Sequence, residues 1–173
     1  IAVPEEKKLF RNKETEQMHL ALSFRGLPMG DKQVYAMAVM NTILGGGMSS
    51  RLFQKIREER GLAYSVYSGP SNYPGCGEFS IYAATSPKHT KTVMQLIDEE
   101  IQLLLDKGIT EKEFLQAKAH IKGGFILGLE SAYSRMSSMG HNQILLGRYI
   151  PADDTIKAIE NVEMQDVMDI ASK

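Results

Sequence analysis

The sequence has 173 residues, the length of one ordinary domain. With 20 Lys and Arg against 21 Asp and Glu its net charge is -1, which argues against a nucleic-acid or anionic-membrane footprint. Charged residues interrupt every hydrophobic run, so no membrane span is expected, and the lone Cys76 allows no internal disulfide and suits a cytoplasmic or otherwise reducing compartment.

Residues 1–16 are charged and aperiodic, as a linker would be. The chain opens on Ile1 without a signal-peptide pattern and stops at Lys173 in a helical pattern, so a piece of something longer is expected. From Gln17 to Gly26 the residues Met18, Leu20, Leu22 and Phe24 alternate with polar ones, which predicts a half-buried strand. Asp31 is placed to cap a helix with Val34, Ala38 and Ile43 on its apolar stripe, closed by Gly45-Gly46-Gly47. Ser49 or Ser50 caps a short helix from about Arg51 to Arg60, striped by Leu52, Phe53 and Ile56 and ended by Gly61.

A hairpin follows. Tyr64 to Ser71 puts Tyr64, Val66 and Ser68 on one face, Tyr73-Pro74-Gly75 breaks it, and Glu78 to Thr85 returns with Phe79, Ile81 and Ala83 on one face. Ser86-Pro87 opens a long helix carrying Val93, Ile97, Ile101 and Leu104, and Gly108 ends it. Thr110 and Glu113 make a capping box for a helix to about Leu129, weakened by Gly123-Gly124. Further helices are predicted over Ala132 to Leu146, from Pro151 onward, and over Glu163 to Ala171. Strands and helices do not alternate, so the expected class is α+β: an antiparallel sheet with helices packed on one face, a two-layer sandwich.

Few residues carry obvious chemistry. His19, His89, His120 and His141 lie far apart, and no His-x-x-Glu-His or His-Glu-x-x-His run exists, so no metal site is expected in this chain. The acidic pairs Glu58-Glu59, Glu99-Glu100 and Asp153-Asp154 read as solvated or dipole-stabilising groups. Cys76 has no evident His partner. The glycine corner lacks a P-loop Lys and follows a helix, so it reads as a flexible or tightly packed corner rather than a phosphate cradle. Met136, Met139, Met164 and Met168 read as core filling.

The run Leu44 to Tyr67, LGGGMSSRLFQKIREERGLAYSVY, is more specific. With the strand before it, the hairpin after it and the later Gly-Ile-Thr-Glu-Lys-Glu-Phe run (Gly108 to Phe114), it resembles the C-terminal half of the pitrilysin and mitochondrial-processing-peptidase type of zinc metallopeptidase, the inverzincins, including their bacterial processing-protease relatives. The resemblance implies a clamshell of two similar halves, with zinc and the general base in the N-terminal half. Residues 1–16 would then be a linker from that half, and residues 17–173 the C-terminal domain, ending before a last strand. No catalytic residue and no zinc ligand is expected in this chain. The family's second half supplies an Arg and a Tyr to the substrate, which fall here on Arg57 and Tyr64.

The implied function is substrate binding within a zinc-dependent endopeptidase that cleaves peptides or presequences in a closed chamber. The implied partners are the N-terminal half, in the same or a separate chain, a peptide substrate, and a second copy of the protein in a homo-oligomer. The alternative within the family is a non-catalytic scaffold or partner subunit that binds without hydrolysis. A phosphate or small-molecule binder using the glycine corner is a third reading, disfavoured by the missing Lys.

Overall fold

The computed structural model describes residues 8–9 and 15–173; most of the expected linker over residues 1–16 lies outside the described residues. Three strands form one antiparallel sheet: β1 (Met18–Arg25), β2 (Ala63–Tyr73) and β3 (Cys76–Thr85), in the spatial order β1-β3-β2. The hairpin turns over Pro74 and Gly75, where φ of +80° suits glycine. On one face of central β3, Phe79, Ile81 and Ala83 are buried. Their cross-strand partners on β1 are Phe24, Leu22 and Leu20, and those of Ile81 and Ala83 on β2 are Ser68 and Val66.

Helices cover that face. α1 (Val34–Leu44) packs on β2, α3 and α6, and α2 (Thr90–Lys107) packs on β3 and α6. α3 (Glu111–Gly128), α5 (Ala152–Glu160) and α6 (Met164–Ala171) complete the layer, and α4 (Ala132–Leu146) joins α3 to α5 with none of its own residues buried. The two-layer α+β architecture is as the sequence predicts. Val39, Leu52, Ile56, Ile81, Val93, Ile97 and Val167 are fully buried. Each such aliphatic side chain contributes roughly 1.5–3 kcal/mol by leaving water. The opposite face carries Tyr67 stacked near Tyr82 at 5.0 Å between centroids, with the Tyr82 hydroxyl 2.6 Å from His19 Nδ1.

Several local expectations change. The buried side of α1 is Ala36, Met37, Val39, Met40, Ile43 and Leu44, while Val34 and Ala38 are only half-buried. Packing from several sides makes α1 apolar around most of its circumference, so no narrow stripe marks it. Asp31 caps the preceding turn, its Oδ1 accepting from Gln33 N–H at 2.8 Å. Ser50 does not cap with its side chain; its hydroxyl donates back to the Gly47 carbonyl at 2.6 Å. The glycine corner is tightly packed: a Cβ on Gly45 would lie 2.5 Å from Ser68 Oγ and 2.7 Å from the Ser68 backbone nitrogen. Met136 and Met139 are exposed rather than core-filling, because α4 buries no residue. Glu100 is buried rather than solvated, with Lys55 Nζ 3.9 Å away.

Candidate functional site

Residues Arg51 to Glu58 are helical, but from Phe53 to Glu58 the turn widens to π geometry, with Glu59 N–H bonding the Gln54 carbonyl at 2.9 Å. Leu52 and Ile56 anchor this segment in the core. Gly61, at φ +59°, reverses the chain: its N–H bonds the Arg57 carbonyl, and Leu62 N–H bonds that of Ile56, both at 3.0 Å. Each bond spans one residue more than in the usual glycine cap of an α-helix, because the turn is wide.

The chain then enters β2 through a bulge. Ala63 pairs with Thr85 and Ser65 with Ala84, so Tyr64 is an extra residue with no partner on β3. Such an insertion locally re-aims side chains. Tyr64 is therefore 78% exposed while Ala63 and Val66 are buried. Simple alternation places Tyr64 on the face of Val66, and the bulge overturns that.

Wide turn and bulge together bring the two predicted residues into contact. The Arg57 guanidinium carbon lies 5.6 Å from the Tyr64 ring centroid and 4.9 Å from that of Phe53. Cation–π contacts at such exposed sites are worth about 0.5–1 kcal/mol each, enough to orient a long side chain. Among the described residues neither the Arg57 guanidinium nor the Tyr64 hydroxyl has a hydrogen bond or ion pair, so the guanidinium N–H groups and the phenol remain available to a ligand. Both residues line an open cleft of about 570 Å³ at the end of the sheet where β1 and β2 begin and β3 finishes.

A nearby ion pair holds this region in place. The Arg51 guanidinium donates to both carboxylate oxygens of Glu113, at 2.7 and 2.9 Å, and to the Gly108 carbonyl at 3.0 Å. Glu113 also completes the predicted capping box with Thr110. The Arg51 guanidinium is the main cause that lowers the Glu113 pKa to about 2. Sequence reading found the box but not the Arg, which lies 62 residues away. Among the described residues no group of three or more His, Cys, Asp or Glu is arranged to hold a metal ion. His19 is engaged with Tyr82, and His141 with the Ser137 carbonyl.

The fold defines the class: an α+β domain with a three-stranded antiparallel sheet under helices, whose described residues offer no metal site. The chain belongs to the peptidase M16 family, with residues 1–121 matching the description "Peptidase M16 inactive domain". It is 44% identical over 165 residues to the uncharacterized zinc protease YmxG of Bacillus subtilis, covering 95% of this chain and 40% of that protein. It is 40% identical over 159 residues to an uncharacterized zinc protease of Streptomyces coelicolor, covering 92% of this chain and 35% of the relative. The chain therefore spans well under half the length of these relatives.

Among solved structures, a conserved protein from Enterococcus faecalis V583 matches with TM-score 0.79 and 27% identity, over 92% of this chain and 37% of that one. A peptidase M16 inactive domain from Pseudomonas fluorescens matches with TM-score 0.75 and 26% identity, over 90% and 37%. Zinc is implied by the relatives' names. The described residues do not fit it, since they present no convergent donor set, and no chemical step is assigned to zinc in this chain. No helix among the described residues is long and apolar enough to cross a membrane.

Proposed function

We propose that this chain is the substrate-binding C-terminal half of a zinc-dependent endopeptidase of the peptidase M16 family. Zinc and general base come from an N-terminal half, in the same or a separate chain, and the two halves enclose the peptide in a chamber. The observation that carries this reading is the exposed Arg57–Tyr64 pair, held together by a widened turn and a bulge. Backbone irregularities of these two kinds recur at functional sites and conflict with the regular ladder around them.

Chemically, Arg57 offers a rigid fork of N–H donors and Tyr64 one O–H. Both suit the carbonyl oxygens that flank a scissile peptide bond. Donors fixed before the substrate arrives align the peptide and can stabilise charge developing on a carbonyl oxygen polarised from the other half. A purely scaffolding role gives no use to a guanidinium and a phenol that have no hydrogen-bond partner among the described residues. The lone Cys76 is consistent with a cytoplasmic setting.

Replacing Arg57 by Ala and Tyr64 by Phe in the complete protein tests this. Each change is expected to lower kcat/KM for peptide cleavage by roughly 100-fold to 1000-fold, the range for losing one oriented donor. Thermal stability should change little, since both residues are exposed. Unchanged cleavage by both folded variants would overturn the assignment.

A further inference from the structure

We propose that the cleft beside Arg57 and Tyr64 is a carboxylate subsite, with Lys88 and His89 as specificity-determining residues that favour acidic peptides. The inference rests on the peptide-binding reading above and adds a substrate class to it.

Four observations converge. Two separate segments, the widened turn and the stretch leaving β3, place Arg57, Lys88 and His89 on the walls of one cleft. Against them, among the described residues, the lining holds a single carboxylate, Glu16. The chain as a whole is nearly balanced at -1, so this excess of positive charge is local. Lys88 is exposed and forms no ion pair among the described residues.

Ser86, on the same wall, occupies the helix-capping position but makes no side-chain capping bond. Its hydroxyl is buried and has no hydrogen-bond partner among the described residues. A buried hydroxyl without a partner costs free energy, and a ligand oxygen or a bridging water relieves that cost. The helical stretch that starts there, Pro87–His89 and then α2, carries no acidic residue in its first turn.

The combination recognises an anion with a strong hydrogen-bond acceptor, and on a peptide that is a carboxylate. Two sources share this chemistry: an Asp or Glu side chain and the C-terminal carboxylate. Beside the Arg57–Tyr64 pair, Lys88 acts on such a group through its charge and His89 through a single N–H donor.

The test uses the complete protein and one fluorescent peptide sequence. The peptide is made with Asp, Asn or Lys at each position in turn, and with a free or an amidated C-terminus. Kd by anisotropy and kcat/KM by cleavage are measured for wild type, Lys88→Glu, His89→Gln and Lys88→Arg. Wild type is expected to bind the best carboxylate-bearing peptide ~10-fold tighter than its neutral isostere, a preference that weakens with added salt. Lys88→Glu should collapse or invert that ratio, His89→Gln should reduce it, and Lys88→Arg should keep it. Dependence on Asp assigns a side-chain carboxylate; dependence on the free terminus assigns the C-terminus.

Equal Kd values for acidic and neutral peptides overturn the subsite, as does a preference that Lys88→Glu leaves intact. A preference in binding without cleavage of any peptide supports the subsite and overturns the peptidase reading. Cleavage without any charge preference does the reverse. Should Lys88→Glu fail to fold by circular dichroism, Lys88→Gln supplies the neutral comparison, and an unchanged acid-to-neutral ratio in it overturns the subsite.

Discussion

The sheet with α1 and α2 differs sharply from α4. In the first region the predicted inward stripe of β3 and most of that of α2 are buried, and Ile81, Ile97, Val39 and Val93 are completely so. In the second, fifteen residues form a helix in which nothing is buried, while Tyr133, Met136, Met139 and Ile144 remain exposed. An isolated helix of this length is marginal in water. The same amphipathic residue types thus lead to opposite outcomes, and what decides between them is whether a second apolar surface lies within reach.

The largest expected effect tests the first region. Ile81 sits in the middle of central β3, and its replacement by Ala leaves a cavity among α1, α2 and the sheet. We expect a loss of about 3–4 kcal/mol in urea unfolding. A loss below about 1 kcal/mol would mean that the sheet does not anchor the core, and the contrast between the two regions would fail.

A smaller effect tests the ion pair that joins the widened turn to α3. Arg51→Ala leaves the partly buried Glu113 carboxylate without its strongest partner, and about 2 kcal/mol of stability should be lost at pH 7. The sign with pH follows from Glu113, whose folded pKa is about 2 against an ordinary 4.5. Its contribution is fully present above the unfolded value and declines as pH falls from about 4.5 through about 2. Glu113→Gln should remove this component of acid sensitivity, measured as Tm against pH. An identical profile in the variant would show that other carboxylates carry it.

Much of the first region was legible in the sequence because local rules and tertiary packing agree there. Phe79, Ile81 and Ala83 alternate and are buried; Gly61 and Gly108 both stand at positive φ where a helix must stop; Thr110 and Glu113 form the box that their spacing implies. What escaped depended on distant partners. Glu100 looks like a surface acid, and only the fold shows it buried beside Lys55. Arg51 reaches Glu113 only once α3 lies against the turn. At the candidate site the residue pair was named through family resemblance. Its geometry was not foreseeable, since neither the π-widened turn nor the bulge at Tyr64 has a periodic signature. A period of two carried through position 64 points the ring to the wrong face.

The smallest expected effect tests α4. Ile144 is 82% exposed, and replacing it by Ser removes little apolar area from contact with other described residues. In this chain the change should alter stability by no more than about 0.5 kcal/mol. Amides of α4 should also exchange with solvent well before those of α2, since local opening there separates few packed side chains. Both measurements address one question: whether α4 draws stability from this chain's own core. A cost above about 2 kcal/mol for Ile144→Ser, or α4 protection equal to that of α2, would show that it does. A small cost in this chain together with a large one in the complete protein would place the partner surface of α4 outside these 173 residues, and the contrast between the two regions would then mark an interface.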